Sequence, residues 1–315
     1  AMLDHQAERI PDRVLAVFED GSRWTYAETR RLARGTAAAF EKLGVRRGDR
    51  VLVWLTNGPD IVRLWMALGY LGAIFTPINT AFKGRMLEHV IENSGARIIV
   101  LHASLAERLD AIGHGELETV VVLGGQAEVP SGLGRMDAAA VTPIGAEPKA
   151  PDPALEPWDI HGIFYTSGTT GVSKGVMCTH LHTYTMSIVC MPYLTADDRF
   201  MVTPPYFHIA APFVAYQTIA KGASMAIITK FSTQDFWDQV REMGTTCGLV
   251  MGAMANFLLK APPRPGDRDN ALRAILQVPL AHDAAAFSQR FNVDIYTEID
   301  MTEMGPAIVS DVIPR

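Results

Sequence analysis

One passage near the middle of the chain carries the residue types that hold phosphate. The run Tyr165-Thr-Ser-Gly-Thr-Thr-Gly-Val-Ser-Lys-Gly-Val176 continues an apolar stretch, Gly162-Ile-Phe-Tyr-Thr166. Glycines such as Gly168 and Gly171 let backbone amides approach an anion with no Cβ in the way. Successive amides in such a turn form a concave nest of donors. Ser167, Thr169 and Thr170 add hydroxyl donors, and Lys174 adds a mobile positive charge. The run is not a Walker A loop, because Lys174 follows Ser173 and precedes Gly175 instead of completing Gly-Lys-Ser/Thr. On composition alone, a solvated Gly/Ser/Thr loop reads equally well. His208, after Pro205, Tyr206 and Phe207, reads by itself as an ordinary structural histidine, and Glu303 as a surface carboxylate at a strand end. Cys178, Cys190 and Cys247 have no motif around them; the first two read as buried small hydrophobes near a helix after the loop.

The elements that must carry these residues alternate along the chain. Thr25-Tyr-Ala-Glu28 is a capping box that opens a helix through Leu43, stopped by Gly44. Strands are predicted at 50–55, 73–78, 97–101 and 119–123, with helices at 60–71, 85–93 and 105–112 between them. Gly124–Pro157, rich in glycine and proline, breaks this rhythm and reads as a surface connection. Strands then recur at 161–166, 199–203, 223–229, 246–250, 273–278 and 293–297. Helices fall at 179–190, 210–220, 232–243, 253–260 and 283–290, the third opened by a capping signal at Ser232-Thr-Gln-Asp235. Short apolar strands separated by helical segments imply crossover units and mostly parallel sheets. The expected fold is α/β, with one lobe over 1–155 and a second over 156–315.

Composition narrows the function. A chain of 315 residues, 48% hydrophobic and 20% charged, is a soluble globular type, long enough for two domains. A net charge of −6 offers no basic footprint, so nucleic acid is not the expected partner. Three scattered cysteines argue against a disulfide framework or a Cys-rich zinc site and fit a reducing cytoplasm. The first twenty residues lack the apolar stretch of a signal peptide, and Ala1-Met2 reads as a tag scar before a native start. The uncharged windows Leu64–Phe82 and Phe200–Ala220 are interrupted by Gly, Pro, Asn and His, so neither is expected to span a membrane.

The complete string from Tyr165 to Gly175 resembles the phosphate-binding loop of the adenylate-forming superfamily: acyl-CoA synthetases, luciferases and adenylation domains. Trp24-Thr-Tyr-Ala-Glu28, Gly44–Val51, Asn57-Gly-Pro-Asp60 and Gly72–Asn79 are similar to that family's amino-terminal lobe. Pro205-Tyr-Phe-His208 is similar to its Pro-Leu-Phe-His segment, and Met301-Thr-Glu303 to the end of its Tyr-Gly-x-Thr-Glu motif. Phe236–Val240 and Leu259–Pro263 look most like the carnitine/crotonobetaine-CoA ligase branch.

The resemblance implies an ATP-dependent acyl-CoA ligase. A carboxylate attacks the α-phosphate of ATP to give an acyl-adenylate and pyrophosphate, and CoA then takes the acyl group. Thr166, Ser167, Gly168, Thr169, Thr170, Gly171 and Lys174 would face the β- and γ-phosphates. Thr302 would contact the α-phosphate, Glu303 would hold Mg²⁺, and Ile299 and Asp300 would border the adenine. His208 would lie beside the carboxylate, and Val250–Ala255 would wall the acyl pocket. No Asp occurs in Tyr206–Ala211 to pair a substrate ammonium, which favours a CoA ligase over an amino-acid-activating member. The implied partners are a small carboxylic acid, ATP and CoA, and a homo-oligomer is compatible with them.

Ile299 and Asp300 depart from the family's Tyr-Gly, and Gln277-Val278-Pro279-Leu280 lacks its glycine-rich turn. The resemblance also extends past this chain, to a small β-barrel lobe and a mobile carboxy-terminal domain that supplies an adenylation lysine. The chain is therefore expected to be an amino-terminal portion, inactive alone. A degenerate nucleotide-binding protein, or an enzyme that loads a carrier other than CoA, are the alternatives.

Overall fold

A computed structural model describes residues 2–166 and 172–313. Helix α1 (Met2–Arg9) and strands β1 (Val14–Phe18) and β2 (Arg23–Thr25) lead into α2 (Tyr26–Lys42). Next come β3 (Arg50–Trp54), α3 (Pro59–Leu71), β4 (Ile74–Pro77), α4 (Arg85–Ser94), β5 (Ile98–His102), β6 (Thr119–Leu123) and β7 (Gly134–Asp137). Then follow β8 (Ile160–Thr166), β9 (Lys174–Thr179), α5 (His180–Cys190), β10 (Arg199–Val202), α6 (Ala210–Lys221) and β11 (Ser224–Ile227). The chain continues through α7 (Phe236–Met243), β12 (Cys247–Met251), α8 (Gly252–Lys260), β13 (Ala274–Val278), α9 (Ala284–Phe291) and β14 (Asp294–Tyr296). A hairpin of β15 (Glu298–Met301) and β16 (Gly305–Val309) comes last.

Local chemistry explains several boundaries. The Glu28 amide donates to Thr25 Oγ1 at 3.1 Å, so Thr25 caps α2 as its capping box predicts. Pro59 opens α3, where its missing N–H costs nothing, and Gly72 closes it in a left-handed conformation with φ 67°. Ser232 caps a turn just ahead of α7, its hydroxyl accepting from the Asp235 amide, so the regular helix begins four residues later than expected. The 105–112 segment is a 3-10 helix over Ala103–Leu109.

The chain divides into two compact units, but not at a single point. One consists of Thr29–His182 with Tyr206–Ile209; the other consists of the first 28 residues, Thr183–Pro205 and Ala210 onward. A cut after residue 155 therefore does not describe the division. Proline and glycine in 124–157 mark a connection, but sheet membership follows strand pairing, and β8 pairs beside β4 through Phe75 and Gly162.

In the first of these units the sheet runs β7-β6-β5-β3-β4-β8-β9. Every pair is parallel except β8 with β9, which is antiparallel. Within 124–157 lies β7, an exposed edge strand the sequence pattern does not announce, because none of its residues is buried. Leu52, Trp54, Ile99, Leu101, Val120 and Val122 face Leu87, Val90 and Ile91 of α4 in one apolar cluster.

The other unit repeats the plan, with strand order β14-β13-β12-β10-β11-β1-β2. Again only the last pair, β1 with β2, is antiparallel. Its core joins Met201, Val250, Ile275 and Ile295 of the sheet to Trp237, Phe287 and Phe291 of α7 and α9. The Trp237 and Phe291 rings stack at 4.4 Å. Two α/β sheets, mostly parallel and flanked by helices, match the expected fold class. Among the described residues no helix is long and apolar enough to cross a membrane; both uncharged windows contain a strand and a helix.

Candidate functional site

The phosphate-type loop joins two antiparallel neighbours. Thr166 ends β8, Lys174 begins β9, and the two sit directly opposite each other in the register. Ser167, Gly168, Thr169, Thr170 and Gly171 lie outside the described residues. The flanks of the loop are tied down from both ends. Ser173 Oγ donates to the Thr166 carbonyl at 2.6 Å, closing the neck of the hairpin. The Ser173 carbonyl lies 2.8 Å from His89 Nε2 on α4. One helical turn on, Asn93 Oδ1 accepts from the Tyr165 hydroxyl at 2.9 Å. Burial of that phenol pushes its pKa up to about 12, so it stays a neutral donor.

Gly175 completes the brace. It pairs across the hairpin with Tyr165, and a Cβ there would come within 2.9 Å of Ile163 Cγ2 and 3.1 Å of Tyr165 Cζ. The absence of a side chain thus leaves room for the tyrosine ring. Lys174 itself is exposed at the mouth of the hairpin. His89 and Asn93 were not singled out in the sequence. The signal was present: two polar residues four apart on α4, whose other face buries Leu87, Val90 and Ile91.

His208 is exposed between the buried residues Tyr206 and Ile209. The Tyr206 amide donates to Asn57 Oδ1 at 2.8 Å, and the Tyr206 ring lies 6.0 Å from Trp65 on α3. The Asn57-Gly-Pro-Asp and Pro-Tyr-Phe-His stretches, far apart in sequence, are therefore in contact within one unit. Together they present the imidazole at the surface.

In the other unit Ile299, Asp300, Thr302 and Glu303 are gathered on the β15–β16 hairpin. The Met304 amide donates to the Met301 carbonyl at 3.1 Å, which makes Thr302 and Glu303 the two central residues of a tight turn. Glu303 is exposed at the tip, and Ile299 is 62% exposed on β15. Tyr296 offers no ring in place of the missing aromatic at 299, because it stacks on Tyr193 at 4.1 Å. Just before Ile299 lies Glu298, another residue the sequence did not flag; it is 4% exposed.

Val250–Ala255 covers the end of β12 and the start of α8. A Cβ on Gly252 would approach the Pro279 carbonyl oxygen to 2.5 Å, so glycine is what lets α8 begin against the Val278–Pro279 turn. All three cysteines are free and buried, as the sequence suggests for Cys178 and Cys190. Among the described residues there is no group of three or more His, Cys, Asp or Glu side chains able to hold a metal. The turn at 302–303 offers one carboxylate beside one hydroxyl. That donor set suits Mg²⁺, which binds through one or two carboxylates with the remaining positions filled by phosphate oxygens and water.

Two mostly parallel sheets, with the Thr166–Lys174 hairpin on one and the Thr302–Glu303 turn after the other, place the chain in the α/β class. The chain matches the AMP-binding enzyme family over residues 3–315 and belongs to it, within the adenylate-forming acyl-CoA ligase superfamily. It is 30% identical to the crotonobetaine/carnitine-CoA ligase of Salmonella paratyphi A over 98% of its own length and 62% of that protein's. The same enzyme from Salmonella typhi gives the same identity and coverage. The chain thus spans about three-fifths of these relatives. Among solved structures, the N-terminal domain of FACL13 from Mycobacterium tuberculosis superposes with a TM-score of 0.79 at 23% identity, over 96% of this chain and 75% of that one. A long-chain-fatty-acid-CoA ligase from Archaeoglobus fulgidus gives 0.81 at 21%, over 99% and 65%. These likenesses bear out the fold and the resemblance to the carnitine branch.

Proposed function

We propose that the chain is the amino-terminal portion of a cytoplasmic, ATP-dependent acyl-CoA ligase. The observation that carries this is the braced β8–β9 hairpin, which sets Thr166 against Lys174 at the mouth of a loop of amides and hydroxyls. Adenylation brings an anionic carboxylate to an anionic triphosphate, so donors and a cation around the phosphates are the main requirement. In this reading Thr166 through Gly171 and Lys174 take the β- and γ-phosphates. The Thr302 hydroxyl takes the α-phosphate, and Ile299 and Asp300 border the adenine. Glu303 would hold Mg²⁺, which supplies charge neutralisation between phosphate oxygens. His208 stands beside the carboxylate under activation. The acid's oxygen bonds to the α-phosphorus as pyrophosphate leaves; the CoA sulfur then bonds to the carbonyl carbon as AMP leaves.

The test is carboxylate-dependent ATP–pyrophosphate exchange, over a panel of short, medium, aromatic and carnitine-like acids. It is run on the 315-residue chain and on the full product of its gene. Lys174→Ala and Glu303→Ala should each lower exchange about 10²-fold or more, as loss of a charge-assisted phosphate contact does. Unchanged rates in both variants would refute the site. CoA-driven release of AMP supports the ligase; its failure despite exchange points to a different acyl acceptor. The exposed Ile299 favours one competing reading, a nucleotide-binding protein without catalysis, for which tight ATP binding with no exchange for any acid is the signature.

A further inference from the structure

Helix α4 reaches both flanks of the β8–β9 hairpin with side chains that the adenylation reading does not use. His89 Nε2 lies 2.8 Å from the Ser173 carbonyl oxygen, and Asn93 Oδ1 accepts from the Tyr165 hydroxyl at 2.9 Å. A carbonyl oxygen can only accept, so His89 carries its proton on Nε2. The two residues are four apart, which places them one turn from each other on the same face of the helix. The other face is fixed. Leu87, Val90 and Ile91 are fully buried in one cluster with Leu52, Ile99 and Leu101 of the sheet. Glu88 adds a further tie, accepting from the Gly113 amide at 2.7 Å. The helix is thus a rigid support for the hairpin. Tyr165 immediately precedes Thr166, and Ser173 immediately precedes Lys174, so the two grips fall one residue from the two ends of the loop. Ser173 joins them: its carbonyl meets His89, while its hydroxyl donates to the Thr166 carbonyl at 2.6 Å.

We propose that His89 and Asn93 are positioning residues for the phosphate site: from α4 they fix the Ser173–Lys174 peptide and the Tyr165–Thr166 step, and so set where Lys174 and Thr166 meet the nucleotide. The part in nucleotide binding rests on the adenylation reading; the brace on the hairpin does not. The Lys174 side chain is exposed, and ordering it on a phosphate costs rotamer freedom. Holding its backbone in place beforehand removes the other part of the ordering cost, which is how preorganisation raises affinity. Both grips are polar side-chain contacts, separate from the apolar face that seats α4 on the sheet. Removing one therefore loosens the hairpin and leaves the seat of the helix intact. A neutral hydrogen bond of this kind corresponds to about fivefold in an equilibrium constant. The loss should appear on ATP and not on the acid, because both grips end on residues that flank the phosphate loop.

The experiment is ATP–pyrophosphate exchange on the full product of the gene, with KM measured separately for ATP and for the acid. Amide hydrogen exchange on peptides covering 172–179 accompanies it. His89→Leu should raise the KM for ATP about fivefold, leave the KM for the acid as it is, and speed hydrogen exchange by a similar factor. His89→Gln keeps an N–H donor and should recover most of both losses. Asn93→Leu and Tyr165→Phe remove one hydrogen bond from its two ends, so each should raise the KM for ATP about fivefold and the double variant no further. An unchanged KM for ATP in both leucine variants overturns the proposal. An equal rise in the two KM values also overturns it, since that is what a merely weakened fold produces. So does a glutamine variant as impaired as His89→Leu. If His89→Leu fails to fold, the Asn93 and Tyr165 variants decide alone. Lys174→Ala separates the two readings. If it exchanges at the wild-type rate, the assignment to phosphate fails, and hydrogen exchange in His89→Leu still decides whether α4 braces the hairpin.

Discussion

Gly175→Ala tests whether the phosphate hairpin is braced as described. The added methyl would stand 2.9 Å from Ile163 Cγ2 and 3.1 Å from Tyr165 Cζ, against the roughly 4 Å of ordinary carbon contacts. The tyrosine cannot simply swing aside, because its hydroxyl donates to Asn93 Oδ1. Relief therefore requires either a backbone shift between β8 and β9 or loss of that hydrogen bond. Overpacking of this kind costs about 1–3 kcal/mol. For a unit of this size each kcal/mol lowers the melting temperature by roughly 2–4 °C. Gly145→Ala is the matched control, since a Cβ there meets nothing within 4 Å. Thermal unfolding of both variants, with ATP affinity by calorimetry, provides the comparison. Gly175→Ala should melt several degrees lower and bind ATP more weakly, and Tyr165→Leu placed in the same chain should recover part of the stability. Equal melting temperatures for Gly175→Ala and Gly145→Ala would refute the steric argument. Loss of stability with full ATP affinity would show that the brace does not govern the loop.

Three further outcomes follow from the geometry. Asp198 has a side chain only 5% exposed; burial would raise its pKa, but Arg273, Thr195 and Thr246 outweigh burial and hold it well below the usual carboxylate range. Arg273→Met should therefore cost about 1–3 kcal/mol at neutral pH, because Arg273 is 39% exposed and Asp198 keeps its Thr195 and Thr246 donors; the contribution is complete above about pH 4 and lost as pH falls further, so the deficit against wild type should shrink in acid denaturation curves. His161 is 3% exposed, and burial, with the neighbouring His180 and His182, holds its pKa well below 6.5. The unfolded chain takes up this proton first, so stability should fall as pH drops below about 6.5, and His161→Phe should flatten that part of a melting-temperature profile relative to wild type. Asn57→Ala removes the acceptor of the Tyr206 amide and should cost about 1–3 kcal/mol in urea unfolding.

The sequence by itself determined the class of this protein. Short apolar runs between amphipathic helices imply parallel strands whose faces are both covered, and the Tyr165–Gly175 string resembles the phosphate-binding loop of the adenylate-forming superfamily. Capping at Thr25 and the glycine stops were legible for the same reason: each depends on residues within a few positions of one another. Tertiary structure decided what depends on distant partners. That β8 and β9 join the sheet of the preceding strands, while β1 joins the sheet of the following ones, is a matter of strand pairing between residues far apart in sequence. Strand β7 could not be read because an exposed edge strand carries no apolar alternation. Nothing in the sequence marks Gly175 as a packing glycine, but its neighbour is the Tyr165 ring across the hairpin. His89, Asn93 and Asn57 gained their roles only when folding placed them against Ser173, Tyr165 and Tyr206. Glu298 is the sharpest case. In the sequence it is one more acid in an acidic chain, and only the tertiary structure leaves it 4% exposed.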